Sequence, residues 1–383
     1  MVASPNIRWI AIALAACLVP LLGVLATPSV AQRTAAERTD AAYGAAFESW
    51  AAGSGVKGGI VVVNRNRNTV HESTVGGADP TSSVLLGSLS KAITATCIAK
   101  LIEEHRLAWS TPLKDALARH LEAYGPPADP RALTITVEQL VVHRAGFSSR
   151  PKEALLEMTL GSFLERNTSR DTHFGPLLAA TLRHPLVALP GKQFAYSNAG
   201  YLALGTIIEE ATNESYERAC HSRVLAPLGV QSATLDPSWR VLSSYGGWSM
   251  SGADYLRFFE IFAPNRQLLG RETRAWIADE TAKRMNPQRK HWYALGVRID
   301  PVAGGRLIVS HTGSWSWRQP IAKDGALSAS TGAFAIRYAD GTSLFTAFWP
   351  IPRDPVERRM AYEKLADGLR ETHQRLQAGL SGP

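Results

Sequence analysis

The spacing of apolar positions changes several times along this chain, and each change marks a different element. Residues Trp9–Val24 form an apolar run broken by Pro20. Gly58–Asn64 and Thr69–Thr74 read as strands, and Arg65–Asn68 between them predicts a hairpin. Ile93, Cys97, Ile98, Leu101 and Ile102 fall at helical spacing, as do Tyr201, Leu204, Ile207 and Ile208. Leu307-Ile308-Val309 reads as a strand. Ala333–Tyr338 and Ser343–Trp349 flank Ala339-Asp340-Gly341, which predicts a second antiparallel hairpin. Pro355–Leu380 reads as a charged amphipathic helix, and Gln32–Asp40 as a polar linker.

The first apolar run bears on location. Arg8 precedes it, and Ser29-Val30-Ala31 supplies small residues ahead of Gln32, the pattern of a secretory signal peptide cleaved after Ala31. Leu14-Ala15-Ala16-Cys17 also fits a lipoprotein signal, so lipidation at Cys17 is the alternative, with a retained anchor as a third reading. Beyond this run no segment is long and apolar enough to span a bilayer. The expectation is a secreted or periplasmic protein.

Composition narrows the class. The chain has 383 residues, 45% hydrophobic and 19% charged, enough for a large core. The net charge of +8 is scattered, which argues against a nucleic-acid role while suiting an anionic envelope surface. The 10 His include no His-Glu-x-x-His pair and the 3 Cys form no cluster, so no metal or other cofactor is implied. Outside the leader only Cys97 and Cys220 remain; Cys97 lies on a buried helical face, and sequence leaves their pairing open. Gly-x-Ser-x-Gly is absent, which disfavours an α/β-hydrolase.

Three short motifs carry the chemistry: Ser88-Leu89-Ser90-Lys91, Tyr196-Ser197-Asn198 and His311-Thr312-Gly313. Ser-x-x-Lys also occurs at Ser54–Lys57 and Ser149–Lys152, but only Ser88 opens a long helical pattern. Residues three apart share a helix face, so Lys91 can approach the Ser88 hydroxyl. The free N–H groups of a first helical turn can hold an oxyanion. A serine hydroxyl is a poor nucleophile until a base takes its proton. Lysine serves only if its pKa falls well below about 10.4, and a tyrosine near ~10 can share the proton between cations. Asn198 offers an amide to a substrate carbonyl and to Lys91, and also suits an N-cap. His311 stands at a strand end, Gly313 clears room for a substrate backbone, and the N–H of Ser314 can join that of Ser88 as an oxyanion donor. Each residue also has a plain structural reading: Ser88 as a helix cap, Tyr196 as packing, His311 as a strand-end histidine. Trp315 and Trp317 fit either an apolar acyl pocket or a cover over the hairpin. The ordered set describes an acyl-transferring serine hydrolase activated by lysine and tyrosine.

Together these motifs resemble the serine β-lactamase and penicillin-binding-protein-like superfamily, in its class C β-lactamase, DD-peptidase and esterase branch. Ile135–Phe147, Gly246–Asp254 and Tyr293–Val297 resemble further stretches of that branch, and the similarity runs from about Val56 to Trp349. The resemblance implies an α+β, β-lactamase/transpeptidase-like fold: an antiparallel sheet built from both ends of the chain, flanked by helices, with an inserted helical lobe. It divides the chain into a signal peptide (1–31), a linker and helix start (32–55), a catalytic domain (56–352) and a C-terminal helix on the same unit (353–383). It implies Ser88 as the acylated nucleophile, Lys91 as its partner and Tyr196 as general base and acid. Asn198, His311, Thr312 and Gly313 become substrate contacts, and Ser88 and Ser314 the oxyanion hole. His311 departs from the pattern, which has a lysine there in β-lactamases and DD-peptidases. A histidine is mostly neutral at pH 7, with an ordinary pKa of about 6.5. It suits an ester or uncharged amide better than a carboxylate. The implied function is therefore an exported esterase or D-aminopeptidase-like enzyme. The alternatives are a β-lactamase or DD-carboxypeptidase, or a non-catalytic binding scaffold. The implied partners are a small-molecule or peptide substrate and a cell-envelope component, without nucleic acid or an obligate protein partner.

Overall fold

The structure, a computed structural model, describes residues 30–147, 174–235, 241–264, 268–284, 291–315 and 330–379. The apolar run with Cys17, the Ser149–Lys152 motif and Trp317 lie outside the described residues. The longer helices are α1 (Val30–Ser54), α2 (Ser90–Glu103), α3 (Phe174–Leu182), α4 (Asn198–Thr212), α5 (Gly252–Phe259), α6 (Arg271–Arg284) and α7 (Pro355–Gln377). The strands are β1 (Gly58–Arg65), β2 (Asn68–Val75), β3 (Val84–Leu85), β4 (Thr234–Leu235), β5 (Trp248–Met250), β6 (Trp292–Ala294), β7 (Val297–Val302), β8 (Arg306–Trp315), β9 (Thr331–Arg337) and β10 (Ser343–Trp349).

One antiparallel sheet runs in the order β2-β1-β10-β9-β8-β7-β6. Both expected hairpins are present, and they meet: β1 pairs with β10 from Gly58↔Trp349 to Asn64↔Ser343. The two ends of the chain thus share one sheet, and the largely helical region between β2 and β6 packs as the inserted lobe. A small sheet, β3-β5-β4, pins the approach to α2.

Strand β1 has no polar alternation because both of its faces are covered. Ile60 and Val62 join the large core around α2, while Val61 and Val63 join a second core under α1 and α7. Helix α1 corrects the linker expected over Gln32–Asp40, since it runs unbroken through that stretch. Residues Tyr43, Phe47 and Ala51, four apart, are buried on one stripe, while the first turns supply alanine and polar helix formers. Burial of that stripe extends the helix backward through residues that polarity alone reads as loop. Helix α7, expected from its amphipathic pattern, lies beside α1 and buries Leu365 and Leu369. The Trp50 indole donates to the Ala361 carbonyl at 3.0 Å and ties the two helices together.

The helix that follows Ser88 differs from its expected one-sided burial. Every residue of α2 from Ser90 to Ala99 is buried, as are Leu101 and Ile102. Helix α4 and the π-helical turn Ser243–Gly247 pack against it. Threonines on α2 satisfy their hydroxyls on main-chain carbonyls: Thr94 donates to that of Ser244 at 2.7 Å, and Thr96 to that of Ala92 at 2.7 Å. Cys97 is core, as its position suggested, and is disulfide-bonded to Cys220 at the end of the short helix Tyr216–Cys220. Among the described residues no helix is long and apolar enough to cross a membrane.

Candidate active site

Ser88 sits in a short 3-10 turn, Gly87–Leu89, that leads directly into α2, rather than in the α-helix itself. Lys91 is one turn on and fully buried. Its Nζ donates to Ser88 Oγ at 3.0 Å and to the Tyr245 carbonyl oxygen at 2.9 Å. The expected lysine–serine pair is therefore formed, and a main-chain carbonyl from the π-helical turn fixes the ammonium. The Tyr196, Tyr201 and Tyr245 rings lie 4.9, 5.7 and 5.7 Å from that nitrogen. Tyr196 thus stands over the Ser88–Lys91 pair, as its motif anticipated.

The other Ser-x-x-Lys motif that is described does not share this setting: Ser54 ends α1, and Lys57 opens the way into β1. Asn198 is the first residue of α4, and the cap position is held by Ser197, whose side chain makes no capping hydrogen bond, so the capping role considered for Asn198 is not its place in the helix. Asn198 stays beside Tyr196 at the helix entry.

Strand β8 closes the other side. Gly313 lies backbone against backbone with the 3-10 turn. A Cβ there would strike the Leu86 carbonyl and stand 3.2 Å from the Ser88 nitrogen. Gly87, at φ 54°, makes the reciprocal approach, and a Cβ on it would lie 2.9 Å from the Ser314 nitrogen. The amides of Ser88 and Ser314 thus flank one seam, the placement a two-donor oxyanion hole needs. The Tyr362 hydroxyl on α7 donates to the Gly313 carbonyl and holds the strand there.

His311 is inward-facing and buried, with its ring centroid 6.3 Å from that of Tyr196. Its Nε2 shares a hydrogen bond of 3.0 Å with the Tyr293 hydroxyl on β6. Burial first, then the nearby Lys91 charge, push its pKa down to about 3, so the ring is neutral. The Tyr201 hydroxyl donates to the Val141 carbonyl at 3.0 Å and also meets the Tyr293 hydroxyl. Burial raises the pKa of both tyrosines well above the ordinary phenol value.

A cleft of about 450 Å³ opens beside this group. Tyr196, His311, Thr312 and Ser314 line it together with Arg298 and Arg358. Trp315 packs partly buried against the large core and does not line the cleft. Sequence reasoning missed Tyr293 and the Tyr245 carbonyl. Tyr293 was visible only as part of a strand resemblance, and a main-chain carbonyl leaves no residue-type signal. Among the described residues no group of His, Cys, Asp or Glu could hold a metal ion.

Fold and site together define a β-lactamase/transpeptidase-type protein with a lysine-paired serine at the seam of sheet and helical lobe. The family model that matches is Beta-lactamase, over residues 45–324, and the chain belongs to this family of serine hydrolases and their relatives. Protein flp of Staphylococcus aureus (strain COL) is 30% identical over 173 residues, which is 45% of this chain and 32% of that relative. The chain thus spans about a third of the length of the curated relatives it matches. Among solved structures, a D-stereospecific amidohydrolase from Streptomyces sp. superposes with a TM-score of 0.64 and 22% identity, covering 84% of this chain and 98% of that one. EstCE1, a hydrolase with promiscuous acyltransferase activity, gives 0.63 and 16%, covering 88% and 99%. At these identities the structural neighbours establish the fold.

Proposed function

We propose that the protein is an exported serine hydrolase that cleaves an ester or an amide through an acyl-enzyme on Ser88. The observation that carries this reading is the 3.0 Å contact between buried Lys91 and Ser88 Oγ, beneath the Tyr196 ring. In the proposed reaction Ser88 Oγ attacks the substrate carbonyl and its proton passes to the Lys91–Tyr196 pair. The N–H groups of Ser88 and Ser314 hold the oxyanion. Tyr196 returns the proton to the departing alcohol or amine, and water then releases the acid by the same steps in reverse.

A neutral His311 supports uncharged esters and amides over β-lactams, because no fixed cation stands where that histidine does. The D-stereospecific amidohydrolase is named for amide cleavage, and EstCE1 for hydrolysis with acyl transfer, which supports an acyl-transferring hydrolase. The test is a comparison of kcat/KM on p-nitrophenyl acetate, D-amino-acid p-nitroanilides and nitrocefin. An ester or anilide should lead, and Ser88→Ala should abolish turnover of all of them. Efficient nitrocefin hydrolysis with no ester or anilide activity would reverse the substrate assignment.

Export rests on the leader pattern before Gln32. N-terminal sequencing of protein from the producing cell should give a chain beginning at or near Gln32. A lipid-modified Cys17 or an uncleaved leader would overturn the cleavage site.

A further inference from the structure

Tyr196 stands on a stretch between Leu189 and Ser197 that is neither helix nor strand, so something other than an element must fix it. His143 is placed to do so. It follows the short helix Val137–Val141 and adopts a left-handed backbone, φ 56°, which is uncommon for a residue other than glycine. It is buried, at 2% exposure. Its carbonyl oxygen accepts the Ala195 N–H at 2.8 Å, and its ring Nδ1 accepts the Ser197 N–H at 3.1 Å. These two amides flank Tyr196. The imidazole also packs on the tyrosine, ring centroids 4.4 Å apart.

The contact extends through the rest of the turn. Gly191 N–H donates to the Arg144 carbonyl at 2.7 Å, and Val187 N–H to that of Gly146 at 2.9 Å. The Arg144 guanidinium donates to the Gly191 and Lys192 carbonyls at 2.7 and 2.8 Å. A glycine at 143 would relieve the backbone strain but would remove the acceptor that Ser197 uses.

We propose that His143 is the positioning residue for Tyr196, clamping the backbone on both sides of the tyrosine and seating its ring over Lys91. This rests on the reading of Tyr196 as the proton carrier. The clamp requires a bare Nδ1, so the ring proton resides on Nε2. Burial, then the nearby Lys91 charge, hold the imidazole neutral. A displacement of about 1 Å at a reacting group can lower a rate on the order of a hundredfold, so a clamp on a loop residue has kinetic consequences.

The test compares His143→Ala, His143→Gln and His143→Asn, each first shown to be folded by circular dichroism. Asparagine places its amide oxygen where Nδ1 stands and tolerates a left-handed backbone, whereas glutamine carries its amide one bond too far. Two readouts are taken: hydrogen–deuterium exchange of the 194–198 segment, and kcat and KM on an ester that wild type turns over. Alanine and glutamine should speed exchange at Ser197 by about tenfold or more and lower kcat by roughly 10- to 100-fold, with KM within about threefold. Asparagine should restore most of both. A folded alanine variant with wild-type exchange and kcat would overturn the proposal, as would an asparagine variant as impaired as glutamine. If the alanine variant does not fold, the glutamine–asparagine pair decides. If wild-type Ser88 proves unreactive, the hydrolase reading falls, while the exchange measurement still decides whether His143 holds the tyrosine.

Discussion

At the scale of single residues, the site is a set of polar groups whose partners decide what each can do. Lys91 was legible because its spacing from Ser88 follows from helix geometry, and the 3.0 Å contact bears this out. His311 was legible as a site residue at a strand end, but its hydrogen bond to Tyr293 was not, because that tyrosine comes from another strand. The buried ring makes a pH prediction. Its folded pKa is about 3, against about 6.5 when unfolded, so the unfolded chain takes up the proton first. The stability contributed by the neutral ring is complete above about 6.5 and is lost as the pH falls toward about 3, by roughly 1.4 kcal/mol per unit at most. Burial depresses His143 in the same direction. Urea unfolding of wild type and His311→Asn between pH 7 and 4 should show a slope about one proton shallower in the variant. Identical slopes would mean that His311 titrates normally in the folded protein.

At the scale of elements, the strands and helices with a strong period were readable and those that depend on neighbours were not. Both hairpins followed from β-rich runs around turn residues. The backward extension of α1 did not, since the docking of Tyr43 and Phe47 on the sheet outweighs the polarity of Gln32–Asp40. The complete burial of α2 was equally hidden, because its periodic apolar positions mark only one face, and α4 and the Ser243–Gly247 turn cover the threonines and alanines between them. The disulfide belongs here too. It joins the helix that carries Lys91 to the Tyr216–Cys220 helix across a sequence separation of 123 residues. Closing so long a loop in the unfolded chain typically stabilises by about 2–5 kcal/mol. The Cys97→Ala/Cys220→Ala double variant should lose stability in that range by chemical denaturation. A variant as stable as wild type would show that the bond contributes nothing to the resting fold.

At the scale of the whole molecule, the pairing of β1 with β10 makes the chain one unit and puts its helical lobe against the face where β8 meets the Ser88 turn. That plan was anticipated by the order of the three motifs, whose residues are far apart in sequence and close in space. The seam between Gly87 and Gly313 shows why: the approach is close enough that a Cβ on either glycine would meet the other backbone. What the motifs did not carry is the full lining of the cleft, to which residues of α7 and Arg298 on β7 contribute. The central claim is that this assembly activates Ser88. Its most direct test is intact-protein and peptide mass spectrometry after treatment with a fluorophosphonate probe. A single adduct on Ser88 is expected, lost in Ser88→Ala and reduced by about a hundredfold or more in rate in Lys91→Ala. An adduct on another serine, or none on folded wild-type protein, would contradict the account.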